Sequence, residues 1–257
     1  MAQAVRSGPV VVARGPVSAT ATTPRKRKPF LIDFYATAVG KKYVMAITGL
    51  IGVGYVLVHM IGNFKMYLGA SDINHYGEWL RELLVPFFPR TVTLWLLRFV
   101  LIGALLGHLH AAYTLTLINS RARPSKYRAP REYVAANFAS RTMRWSGVIV
   151  LAFLFWHLAD LTWGWWNPGF VRGDVYRNVD ASLSRIPVSL LYIVANILLG
   201  IHLFHGFWSM FQSMGWNSPR FNRWRRAGAV GIATLIVAGN VSFPIAVLAG
   251  IVQDPTV

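Results

Sequence analysis

The chain has 257 residues, no cysteine, and only 9 Asp and Glu against 26 Lys and Arg. Lack of cysteine excludes disulfides, covalent c-type haem attachment and any cysteine-ligated iron–sulfur cluster on this chain. If iron–sulfur chemistry is involved, a partner subunit has to supply it. Carboxylates are nearly absent from the apolar stretches, Asp160 being the exception, so the acidic or thiolate ligands that zinc favours are missing there. The sequence reads as having neither an internal repeat nor the paired broken helices of many transporters. The N-terminal stretch also lacks a signal-peptide core, because its longest apolar run, "VVVA", is too short. Residues 1–40 are expected to form a basic, disordered cytoplasmic tail that stays uncleaved.

What the chain has instead is apolar length. It is 54% hydrophobic with positive mean hydropathy, too apolar for an ordinary soluble domain of this size. A basic chain that bound nucleic acid would line one groove with its cations in polar surroundings. Here they cluster between long apolar runs, the layout of a multi-span membrane protein. Five segments, 43–67, 92–119, 142–166, 187–214 and 227–252, are long enough to cross about 30 Å of hydrocarbon. All are expected to be helices, since isolated strands leave their backbone groups unsatisfied in lipid. The fold class predicted is all-α, a bundle of five transmembrane helices over residues 41–252 with a short tail at 253–257.

Charge orients the bundle. The N-terminal tail, the second-to-third loop and the fourth-to-fifth loop hold most of the Lys and Arg, including "RKRK" at 25–28 and Arg220, Arg223, Arg225 and Arg226. This alternation predicts the N-terminus inside and the C-terminus outside. In the outside loops, "INHYGEWLRELLVPFF" (73–88) has the mixture of a short interfacial helix, and the tryptophans of "WGWWNPGF" (163–170) suit an aromatic belt.

Six of the seven histidines fall within predicted spans: His59, His108, His110, His157, His202 and His205; His75 reads as a surface residue. Four spans carry at least one, and ionisable groups inside a membrane point to function by default. The first and third spans run outward, which brings His59 and His157 near the outer face. The second and fourth run inward, which brings His108 and His202 near the inner face. Two pairs at two depths result. Facing neutral imidazoles from different helices are what a six-coordinate b-type haem requires, so two pairs predict two haems stacked across the membrane. Small residues near the histidines, Gly62, Gly206, Ala111 and Ala112, are candidates for giving a flat macrocycle room, or equally for helix packing.

These stretches resemble the cytochrome b subunit of succinate dehydrogenase/fumarate reductase, in its five-helix, two-haem form. The matching segments are "GKKYVMAITGLIGVGYVLVHMIGNFKMYLG", "WLLRFVLIGALLGHLHAAYTLTLINSRARPSKY", "RTMRWSGVIVLAFLFWHLAD" and "IHLFHGFWSMFQSMGW". The resemblance runs from about residue 40 to about 217, the fifth span matching in character alone. It implies haem-iron ligation by His59, His108, His157 and His202, with Gly206, Trp208 and Gly215 completing the pattern after His202. In the second span the distances to "WLLR" and "RARP" favour His108, whereas "HAAY" favours His110, which stays the alternative. It also implies a flavoprotein subunit and an iron–sulfur subunit as partners, with an additional small anchor subunit left open. Two haem b as cofactors, quinone (menaquinone in a two-haem member) as substrate, and the cytoplasmic membrane of a bacterium as location follow from the same likeness.

Quinone needs hydrogen-bond donors at the edge of the apolar zone. His205, Ser209 and Gln212 form a stripe toward the inside, and Asn63, Tyr67 and Trp163 are candidates outside. Arg98, in the outer part of the second span, reads as snorkelling to the interface or pairing with a haem propionate. Some two-haem fumarate reductases resembling this chain carry a glutamate two residues before the axial histidine of the fourth span; here that position is Gly200. The competing functions are the di-haem anchor of another respiratory dehydrogenase and a haem-free transporter.

Overall fold

In the structure, a computed structural model, residues 29–122, 138–216 and 218–254 are described. The expectations for residues 1–28 and for the basic stretch at 123–137 therefore lie outside the described residues. Among the described residues there is no strand. The helices are α1 (Phe30–Ala36), α2 (Ala38–Asn63, running into a 3-10 turn at Phe64–Leu68), α3 (Ala70–Arg81), α4 (Val92–Arg121), α5 (Phe138–Leu161), α6 (Val175–Leu183), α7 (Ile186–Ser213) and α8 (Pro219–Leu248). Five of them, α2, α4, α5, α7 and α8, are long and apolar enough to cross a membrane.

Local chemistry sets where these helices start and stop. Thr37 caps α2, its side chain accepting from the Gly40 N–H at 2.9 Å. The first span thus begins at Ala38, inside the stretch read as tail. Ser218 caps α8 with Pro219 in the first turn. That places Arg220, Arg223, Arg225 and Arg226 on the helix rather than in a loop. α5 stops at Leu161, short of the 166 expected, because the chain turns at Gly164 with φ of 73°. The helix expected within 73–88 is α3, displaced toward its N-terminus to Ala70–Arg81. α6 is a helix that hydropathy gave no reason to expect.

Close packing is concentrated in the pairs α2–α4, α5–α7 and α7–α8, with α2 also against α7 and α8. Small residues make these contacts, as they do in membranes generally. A side chain at Gly239 of α8 would meet the Met60 sulfur of α2 at 2.3 Å, and one at Gly200 of α7 would meet Val237 Cγ2 of α8 at 2.3 Å. The buried core gathers at the α3 end of the bundle, where Met60, Ile73, Tyr176, Tyr192, Phe243 and Val252 pack together. Elsewhere the spans expose their large apolar side chains, such as Phe99, Leu106 and Val148, the surface lipid would cover.

Candidate functional site: two facing histidine pairs

His59 of α2 and His157 of α5 face each other, ring centroids 5.9 Å apart and planes inclined by 64°. His108 of α4 and His202 of α7 do the same at 6.5 Å and 65°. Neither α2–α5 nor α4–α7 is among the closely packed helix pairs, so both sets of rings meet across a space between helices. The separations suit an intervening metal ion: two metal–nitrogen bonds of about 2 Å each, plus the inner half of each ring, span roughly 6 Å. Among the described residues no group of three or more His, Asp or Glu side chains converges on one point. The histidines meet in twos, the axial complement of one iron rather than a cage.

Depth follows from the glycines. Gly49 of α2 lies against His108, and Gly147 of α5 against His202. Each is ten residues before the histidine of its own helix, so the two pairs are separated by about 15 Å along the helix axes. The pair near α3 is called the α3-side pair below, and His108–His202 the α1-side pair.

Every ring in the two pairs has a partner at Nδ1. His108 meets Thr48 Oγ1 at 3.3 Å, and His202 meets Ser146 Oγ at 3.3 Å. Both hydroxyls donate to their own helix, Thr48 to the Val44 carbonyl at 2.7 Å and Ser146 to the Met143 carbonyl at 3.0 Å. Each therefore accepts from the ring, which sets the Nδ1–H tautomer and leaves Nε2 a bare lone pair. His157 Nδ1 meets the Tyr192 hydroxyl at 3.4 Å, and that hydroxyl donates to Asp160 at 3.0 Å. His59 differs: the Asn63 amide nitrogen faces its Nδ1 at 2.9 Å. Ligation through Nε2 there requires the amide turned over, its oxygen toward the ring.

The remaining histidines are elsewhere. His110 is exposed and bonded to the Tyr35 hydroxyl of α1 at 2.5 Å, whereas His108 is the one opposite His202. His75 is exposed. His205 is part-buried, and its Nδ1 has no hydrogen-bond partner among the described residues. Of the other stripe residues, Ser209 donates to the Gly206 carbonyl at 3.2 Å and Gln212 is exposed. On the α3 side, Asn63 is engaged by His59, and Tyr67 donates to Ser242 at 2.7 Å. Trp163 lines a cleft of about 620 Å³ together with Trp95, Arg81, Arg98 and Arg172. Arg98 stacks its guanidinium over the Trp95 ring at 4.9 Å.

At two of the small residues the packing alternative is the one observed. Gly62 faces Tyr76 of α3, whose ring would be 2.7 Å from an added Cβ, and Ala111 is fully buried in protein contacts. Neither position has room for a macrocycle. Gly206 meets the end of Met143 at 3.6 Å. Gly200 is explained by packing: α8 occupies the space a side chain would need. Gly200→Ala is expected to lower stability by about 1–3 kcal/mol through overpacking, and Gly200→Glu by more, seen as a lower melting temperature of the solubilised protein. An unchanged melting temperature in both would show that α8 yields freely.

Sequence reasoning missed the partners of the rings. The signal was present as a short repeat. Met45, Thr48, Gly49 and His59 on α2 recur as Met143, Ser146, Gly147 and His157 on α5, at a constant offset of 98 residues. These four positions do not amount to an internal repeat of the transporter kind; they are too sparse to raise overall similarity and become visible once the residues are seen beside the rings.

Comparison with known proteins gives one finding. No curated protein and no solved structure matches the chain. A family model does, from the last turn of α4 into α8, so that His157 and His202 fall within the matched segment. Over residues 119–241 the chain is similar to the family described as succinate dehydrogenase/fumarate reductase transmembrane subunit.

Proposed function

We propose that the chain is the membrane anchor of a succinate:quinone oxidoreductase and holds two b-type haems, one between His59 and His157 and one between His108 and His202. The observation that carries this reading is the pair of facing imidazole couples at two depths on four different spans. When bound, each haem iron takes up and gives back one electron, and two of them provide steps across the membrane. The chain's own residues do the rest. Four histidines present Nε2 to the iron sites. Thr48, Ser146, Tyr192 and Asn63 hold the rings from behind. The spans exclude water from both sites.

The reading includes a flavoprotein subunit that interconverts succinate and fumarate and an iron–sulfur subunit that exchanges electrons with this anchor. With the N-terminus inside, as the Lys and Arg distribution argues, the α1-side pair is nearest that partner. Menaquinone reacts at this subunit, and His205 is a candidate contact because its buried Nδ1 has no partner among the described residues. The location is the cytoplasmic membrane of a bacterium.

The test is an absorbance spectrum of the purified complex, oxidised and dithionite-reduced, with pyridine haemochrome quantitation. Two haem b per chain is the expected result. One would overturn the two-pair arrangement, and none would remove the haem reading altogether in favour of a transporter. Co-purification of a hydrogenase or formate dehydrogenase in place of a flavin-containing subunit would reassign the anchor.

A further inference from the structure

We infer that Thr48 and Ser146 are matched positioning residues, each fixing the tautomer and ring plane of the α1-side histidine on the neighbouring helix. This rests on the haem-anchor reading and extends it to residues that do not touch the iron. A threonine or serine in a membrane helix usually bonds back to its own preceding turn, and Thr48 does so. That habit alone needs no second helix. What it leaves unexplained is the duplication. Both hydroxyls follow a methionine by three residues and precede a glycine, and both meet a histidine Nδ1 on the helix packed against their own.

The glycine completes the device. A Cβ at Gly49 would stand 3.4 Å from His108 Cε1, and one at Gly147 3.2 Å from His202 Cε1. The bare backbone lets each ring lie close to the helix, where the adjacent hydroxyl can reach its Nδ1. Each ring also hydrogen-bonds to the main chain of the methionine one turn before the hydroxyl, His108 to Met45 and His202 to Met143. With the hydroxyl proton committed to a main-chain carbonyl, both the hydroxyl and the methionine carbonyl face the ring with lone pairs. The ring donates, and its Nε2 is left for a metal. The α3-side pair uses other groups, Asn63 and Tyr192, so a change at Thr48 or Ser146 acts on one pair alone.

The experiment uses the whole complex in membranes, with potentiometric titration followed optically and electron paramagnetic resonance of the low-spin ferric haems. Thr48→Val and Ser146→Ala remove the hydroxyl with little change of shape. An acceptor at Nδ1–H raises imidazole basicity and favours the ferric form, so each variant is expected to raise the potential of one haem. A tenfold change in the ferric-to-ferrous preference corresponds to about 59 mV for one electron. The resonance of that haem shifts while the other keeps its wild-type spectrum and potential. Thr48→Ser and Ser146→Thr restore both readouts. Two haems at wild-type potentials and spectra in the hydroxyl-free variants overturn the inference and leave the haem reading intact. Loss of one haem in Thr48→Val that Thr48→Ser does not repair also overturns it, because packing rather than the hydroxyl is then what matters. A wild-type complex without haem overturns the underlying reading and the inference with it.

Discussion

His202→Ala is expected to leave one haem b per chain in place of two, with the reduced-minus-oxidised signal falling by about half. On the haem reading His202 supplies one of two axial ligands, and no third histidine, aspartate or glutamate among the described residues joins this pair to take its place. His108→Ala should give the same loss, since His108 holds the opposite side of the same gap at 6.5 Å between centroids. The control is the nearest histidine on each helix. His205 is three residues from His202 and makes no ring contact with His108. His110 is turned toward Tyr35 of α1. His205→Ala and His110→Ala are therefore expected to keep both haems. Full haem content in His202→Ala would refute the assignment, as would loss of a haem in His110→Ala with both retained in His108→Ala. Quantitation by pyridine haemochrome, normalised to chain, decides each case.

The sequence made the histidines legible because they interrupt apolar spans, where an imidazole is conspicuous and its depth can be counted in residues. Depth and direction together assign His59 to His157 and His108 to His202, and the structure brings those rings to facing positions. Their partners were not legible for a physical reason. Thr48 satisfies its hydroxyl on its own helix, so nothing in its local sequence announces a second contact 60 residues away. Tyr192 and Asp160 meet across 32 residues, again with no local trace. α6 escaped notice because it is short and its buried side includes Asn178, Asp180 and Ser182, polar residues satisfied by tertiary contacts. Span ends were misplaced where capping, not hydropathy, decides them, as at Thr37 and Ser218.

Asp160 supports the second large effect. It is fully buried at the α3 end of α5, and three side chains donate to its carboxyl oxygens. Arg185 donates at 2.9 Å, the Tyr192 hydroxyl at 3.0 Å, and the Ser182 hydroxyl closes the set. Arg185 also donates to the Trp166 carbonyl at 2.8 Å, which ties the loop after α5 to the start of α7. Asp160→Ala strips the acceptor from two hydroxyls and leaves a guanidinium without its counter-charge. Breaking a buried pair this way costs about 3–5 kcal/mol. Because the Arg185 side chain is one-third exposed, the lower figure, about 3 kcal/mol, applies. At 2–4 °C per kcal/mol for a chain of this size, the solubilised complex should melt roughly 6–12 °C lower. Asp160→Asn keeps an acceptor for the hydroxyls and loses only the charge, so its drop should be about half as large. Tyr192→Phe tests ligand geometry apart from the ion pair. It leaves the Asp160–Arg185 pair in place but removes one of the three donors to Asp160, about 1.5 kcal/mol, and with it the hydroxyl at His157 Nδ1. The melting temperature therefore falls less than in Asp160→Ala while the α3-side haem spectrum shifts. Equal melting temperatures for wild type and Asp160→Ala would show that the cluster does not hold α5 to α7. A Tyr192→Phe spectrum identical to wild type would show that the hydroxyl does not orient His157.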